Sequence, residues 1–117
     1  MTVEYIRYLC ADKERREELL QAYRTAAKVL DAAPECSAYE MSVCEEDEQA
    51  AVLRIEWEST EAHLQGFRQS ARFRDFVAAI GGFVKEIAEM RHYVDRYRTQ
   101  VSDPSFYWIV QLGAVCL

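Results

Sequence analysis

Residues 54–93 read RIEWESTEAHLQGFRQSARFRDFVAAIGGFVKEIAEMRHY. Leu53, Ile55 and Trp57 alternate with Arg54, Glu56 and Glu58, the period-two pattern of a strand with one apolar face. Ser59 and Thr60 suit the N-cap of a helical segment over Glu61 to Phe67, and Ser70 suits that of a second, over Ala71 to Ile80. Phe73, Phe76, Val77 and Ile80 supply its buried stripe. Gly81-Gly82 interrupts the helix; Phe83, Val84, Ile87 and Met90 then resume an apolar face before a last strand expected over Arg91 to Tyr97.

Upstream, Val3 to Cys10 (VEYIRYLC) alternates as a strand. Val3, Tyr5, Arg7 and Leu9 share one face; Ile6, Tyr8 and Cys10 share the other. Asp12 is placed to cap a helix whose Leu19, Tyr23, Ala26, Ala27, Leu30 and Ala33 recur at three- and four-residue steps, and Pro34 ends it. Cys36 to Cys44 and Ala50 to Glu58 are strand-like runs joined by the polar turn Glu45-Glu46-Asp47-Glu48-Gln49. The charged row of the second run is expected to pair across strands with Glu40 or Arg7. The order is β-α-β-β-α-β, an α+β ferredoxin-like arrangement with helices on one face of an antiparallel sheet. Both faces of the first strand carry apolar residues, so the face away from the helices needs a cover, and a second copy of the chain would supply it.

The 117 residues suffice for one core. Twenty acidic against fourteen basic side chains, a net charge of -6, disfavour a nucleic-acid or anionic-membrane partner. No secretory signal is read at the N-terminus, so a cytoplasmic location is expected. Cys10, Cys36, Cys44 and Cys116 lack metal or redox spacing and are expected to be buried thiols. The acidic turn lacks the alternating oxygens and Gly of a calcium loop. No nucleophile elbow or dinucleotide-binding glycine motif occurs, so hydrolase chemistry and a bound flavin or nicotinamide have no support. No cofactor and no metal are expected.

Trp57, His63, Phe67, Phe73 and Phe76 are placed to line a cleft between helices and sheet, with His63 and Phe67 on one helix face. An apolar slot with one imidazole suits a planar aromatic substrate, with His63 taking a phenolic proton. The same aromatic spacings also fit plain core. His92 alternates away from Arg91 and Tyr93 and faces either the cleft or the outer sheet face; Tyr23 and Arg7 are further candidates for the substrate space.

The order of strand, Trp57, short helix with His63, then Ser70-x-x-Phe73 opening a second helix resembles the antibiotic biosynthesis monooxygenase family of small dimeric α/β-barrel proteins. The resemblance covers roughly residues 3–98 and implies a domain over 1–98, with 99–117 an apolar extension expected to add an edge strand or cover a partner subunit. It implies a homodimer and a cofactor-independent monooxygenase acting on a quinol or polyphenol. The alternative is a non-catalytic dimer binding a small molecule or a protein. Heme-degrading members carry a Trp and a His where this chain has Phe67 and Val77, so the resemblance implies no heme iron ligand; heme binding is the third reading.

Overall fold

A computed structural model describes residues 1–97. The expectations placed on 99–117, Cys116 included, lie outside the described residues. Four strands and two α-helices follow one another as β1 (Thr2–Leu9), α1 (Lys13–Ala32), β2 (Cys36–Val43), β3 (Ala50–Trp57), α2 (Ala71–Ile80) and β4 (Ile87–Val94). The sheet order is β2-β3-β1-β4 with every pair antiparallel, and both helices pack on one face. This is the α+β ferredoxin-like fold expected from the alternation and helix stripes.

Local chemistry accounts for the element ends. Asp12 Oδ1 accepts the Arg15 amide at 2.8 Å and starts α1. The helix stops at Ala32, two residues before Pro34. The acidic segment after β2 is a turn, as expected. Arg16, buried in α1, holds it by donating Nη1 to the carbonyls of Cys44, Asp47 and Ala50 at 3.4, 3.0 and 3.3 Å. Cys10 is buried, while Cys36 and Cys44 are partly exposed; all three are free thiols.

Helix-facing residues of the sheet, Ile6, Tyr8, Leu53, Ile55 and Trp57, meet Leu19, Ala26 and Leu30 of α1 and Phe76 and Ile80 of α2. Burying these side chains contributes on the order of 1.5–3 kcal/mol for each large one. The opposite sheet face leaves Tyr5, Leu9 and Tyr93 more than a third exposed.

Several expectations need correction. The segment expected as a helix over Glu61 to Phe67 is a π-helical turn, Ala62–Gly66, running into a 3-10 turn, Phe67–Gln69. Ser59 does cap it, accepting the Ala62 amide at 2.9 Å, but Ser70 turns its hydroxyl back to donate to the Phe67 carbonyl at 2.6 Å. The last strand begins at Ile87, four residues earlier than expected, after a 3-10 turn over Gly81–Glu86. The helical spacing of Ile87 and Met90 has a strand explanation. Arg7 pairs with Glu89 and Tyr8 with Ile87, so a bulge at Ala88 puts Ile87 and Met90 on the same face.

Val77 is 43% exposed rather than part of a buried stripe, and it lines the cleft described below. The register sets Arg54 opposite Glu40, as expected, and Arg7 opposite Val52 rather than a charged residue, while the side-chain contacts fall elsewhere. Arg54 contacts Glu56 along its own strand at 3.1 Å, and Arg7 contacts Glu89 at 3.9 Å.

Candidate active site

A cleft of about 360 Å³ opens between the sheet and α2, within the size range of small-molecule sites. Its walls are apolar: Ile6 and Ile55 from the sheet, Phe73, Phe76, Val77 and Ile80 from α2, Phe67 from the 3-10 turn, and Val84, Ile87 and Met90 beyond. Its polar lining comes from Glu4, Tyr8, His63 and Arg68.

The sheet register explains how these groups meet. Glu4 lies opposite Ile55 on β3 and His92 on β4, so the three share the helix-covered face. Trp57 ends β3, and the π-helical turn brings His63 back over it. The indole and imidazole stack at 4.3 Å and 8° from parallel. Trp57 Nε1 donates to Glu4 Oε1 at 3.2 Å, giving the buried carboxylate one firm partner. His63 Nε2 is 3.6 Å from the same oxygen, too far for a hydrogen bond.

Both ring nitrogens of His63 are engaged elsewhere. Arg68 Nε donates to His63 Nε2 at 3.3 Å, and His63 Nδ1 lies 2.7 Å from His92 Nε2. A guanidinium has no acceptor, so Nε2 of His63 must be the bare nitrogen. The network therefore assigns the proton to Nδ1, which donates to His92 Nε2. Arg68 Nη2 and His92 Nε2 each stand 3.8 Å from Glu4 Oε2.

Burial shapes the electrostatics. His63 is pushed down to about 4, by desolvation first and then by the nearby Arg68 and His92. It is neutral at pH 7, in keeping with the tautomer just assigned. Desolvation raises the Glu4 carboxyl above its ordinary value, against the lowering effects of the Trp57 hydrogen bond, His92 and Arg68. Tyr8 is pushed up to about 12 by burial, Glu4 and Cys10, so its phenol keeps its proton.

Ligand atoms of Glu4, His63 and His92 fall within 4.8 Å of one another, a two-histidine, one-carboxylate donor set of the kind that holds divalent ions. In this arrangement hydrogen bonds occupy both His63 nitrogens, and the Arg68 cation already faces the carboxylate. We assign no ion to it.

Of the residues singled out from sequence, Trp57, His63, Phe67, Phe73 and Phe76 line the cleft, and His92 joins them through His63. Two do not. Tyr23 packs edge-on against Tyr39 at 6.2 Å, on the side of α1 that faces β2. Arg7 alternates to the far sheet face, in a shallow depression with Tyr5, Val52, Glu89 and Tyr93. Glu4 and Arg68 were not anticipated. Glu4 had a signal, being the one charged position on the strand face that carries Ile6, Tyr8 and Cys10. Arg68 had none, because its place depends on how the chain turns after His63.

Comparison with known proteins adds the following. A family model described as antibiotic biosynthesis monooxygenase matches residues 2–79. An uncharacterized protein of Bacillus subtilis strain 168, YczJ, is 28% identical over 79 residues, covering 68% of this chain and 83% of that one. A crystal structure from Bordetella bronchiseptica, described as a putative antibiotic biosynthesis monooxygenase, superposes with a TM-score of 0.71 at 22% identity, over 82% of this chain and 97% of that one. The ActVA-Orf6 monooxygenase of Streptomyces coelicolor, in complex with nanaomycin D, superposes with a TM-score of 0.69 at 14% identity, over 86% of this chain and 92% of that one.

Proposed function

The chain belongs to the antibiotic biosynthesis monooxygenase family, and from that membership we propose that it is a cofactor-independent monooxygenase of a quinol or polyphenol bound in the cleft beside His63. The observation that carries this reading is an apolar slot that ends in a neutral imidazole, a guanidinium and a carboxylate. Flat aromatic walls bind the faces of a planar ring, and the polar side receives its hydroxyl.

In the proposed reaction the substrate hydroxyl replaces Arg68 as the partner of His63 Nε2 and gives up its proton there. Arg68, about a third exposed and able to move, then pairs with the phenolate oxygen. Desolvation makes the phenolate a better electron donor to dioxygen. For a quinol, one oxygen atom enters the ring, the other leaves as water, and the substrate supplies all the electrons on its way to a hydroxyquinone. Trp57 and Phe67, with ring centroids 4.9 Å apart, hold the imidazole and the substrate in register.

The test is oxygen uptake by protein stripped of metal and flavin, against a panel of hydroquinones and polyphenols, with His63→Ala beside it. Uptake above the autoxidation blank that vanishes in the variant is expected. Absence of uptake across the panel would turn the assignment to a binding protein, a reading favoured by the engagement of both His63 nitrogens.

We also propose a homodimer. Tyr5, Leu9 and Tyr93 are exposed together on the uncovered sheet face, and the Tyr5 and Tyr93 rings pack edge-on at 5.4 Å. Light scattering at micromolar concentration checks it, and a monomer would contradict it.

A further inference from the structure

We propose that His92 is the outer member of a two-histidine relay that carries the substrate's hydroxyl proton from the cleft, through His63, to solvent. The inference rests on the monooxygenase reading for its substrate, but its geometry stands without one. His63 lines the cleft and is 2% exposed, whereas His92 does not line it and keeps 27% of its side chain exposed on β4, the edge strand. The 2.7 Å contact between His63 Nδ1 and His92 Nε2 joins the two environments. A buried imidazolium at His63 would cost desolvation energy, so the charge belongs on the ring that water reaches.

The step balances. The substrate O–H bond breaks and its proton bonds to His63 Nε2 while the electron pair stays on the phenolate oxygen. At the same time the His63 Nδ1–H bond breaks and that proton bonds to His92 Nε2. His63 ends neutral in its other tautomer, and His92 ends as an imidazolium that water can relieve of its proton. Among the described residues, the charged groups within 4 Å of the two rings' nitrogens are Glu4 from β1 and Arg68 from the 3-10 turn; β3 contributes the Trp57 indole. Each has a part. Glu4 Oε2, 3.8 Å from His92 Nε2, offsets the arriving positive charge, and Arg68 moves to the phenolate. Glu4 is a poorer direct acceptor, since Oε1 holds the Trp57 N–H and stands 3.6 Å from His63 Nε2.

His92 acts through His63 and is a positioning residue, so its test needs a readout that a merely structural role would not move. Nitrogen-15 NMR of the histidines in the ligand-free protein is expected to show His63 protonated at Nδ1 and bare at Nε2. The protein is then titrated with 4-nitrophenol, which is not oxygenated and whose anion is coloured, at a pH below the ionisation of the free phenol. Wild type is expected to bind it as the anion, with His63 switched to the Nε2–H form and His92 doubly protonated. His92→Gln, which keeps a hydrogen-bonding side chain at an edge position but cannot carry the proton, is expected to bind the phenol in its neutral form. Where oxygen uptake is found, its kcat falls on the order of 100-fold at little change in KM. Free imidazole added to His92→Gly is expected to restore the anion. A His92→Gln variant that binds the anion as wild type does would overturn the relay, and so would a ligand-free His63 protonated at Nε2. Failure of wild type to bind 4-nitrophenol would instead overturn the phenol-site reading, leaving the relay to be decided by the ligand-free tautomer.

Discussion

The Trp57 indole lies flat against the His63 imidazole, 4.3 Å away, while its N–H reaches past the stack to Glu4 Oε1. One side chain thereby fixes two others. Trp57 is fully buried at the end of β3, so the orientation of the imidazole depends on a strand residue rather than on the turn that carries it. This is the kind of rigid support that keeps a catalytic side chain in place.

Splitting the two roles of Trp57 is therefore informative. Trp57→Phe keeps a ring under His63 but leaves Glu4 Oε1 without its donor, and should cost about 1–3 kcal/mol. Trp57→Ala also opens a cavity and should cost about 3–5 kcal/mol. Urea unfolding of the two variants gives the comparison: a Trp57→Phe protein as stable as wild type would mean that the hydrogen bond contributes nothing, and equal losses would mean that the ring packing adds nothing to it.

Stability should fall on mild acidification because of His63. Its folded value, about 4, lies below the ordinary 6.5, so between these pH values the unfolded chain binds a proton that the folded one refuses. The contribution is complete above pH 6.5 and is lost as pH falls towards 4, amounting to at most about 3 kcal/mol at 1.36 kcal/mol per unit. Glu4 works in the opposite direction. Its raised value makes its contribution most favourable at low pH and erodes it as pH rises through the folded value. A His63→Gln variant isolates the first effect: its stability relative to wild type should improve as pH drops from 6.5 to 4, and a constant difference would refute the assignment.

Arg16→Met should loosen the turn between β2 and β3. The buried guanidinium satisfies three carbonyls there, and charged hydrogen bonds of this kind are worth about 1.5–3 kcal/mol. Amide exchange over residues 44–50 should quicken more than exchange in β1. Uniform acceleration would show that Arg16 supports the whole core rather than the turn.

Two glycines should respond differently to alanine. Nothing lies within 4 Å of a Cβ added at Gly82, so Gly82→Ala should stabilise by about 0.4–1 kcal/mol through the unfolded chain's lost freedom. At Gly66 the added carbon meets Glu35 Cγ at 3.1 Å and Oε1 at 3.2 Å, against a carboxylate whose Oε2 is buried without a partner. Gly66→Ala should destabilise and disturb the π-helical turn that carries His63. Thermal melts rank the pair, and a stabilised Gly66→Ala would show that Glu35 yields freely.

The sequence by itself determined the first three strands, the two main helices, the caps at Asp12 and Ser59, the break at Gly81-Gly82 and the apolar wall of the cleft. All of these follow from periodicity, capping chemistry and glycine, which act over a few residues. Tertiary structure decided which polar groups gather around His63. Glu4, Arg68 and His92 come from three separate elements and meet only through sheet register and the turn after Trp57. It also sent Arg7 to the far face and Tyr23 towards Tyr39, and a bulge at Ala88 gave a strand the spacing of a helix. Register, bulge and turn geometry are set by contacts between distant segments, so the meeting of a buried carboxylate with two histidines is written in no local pattern.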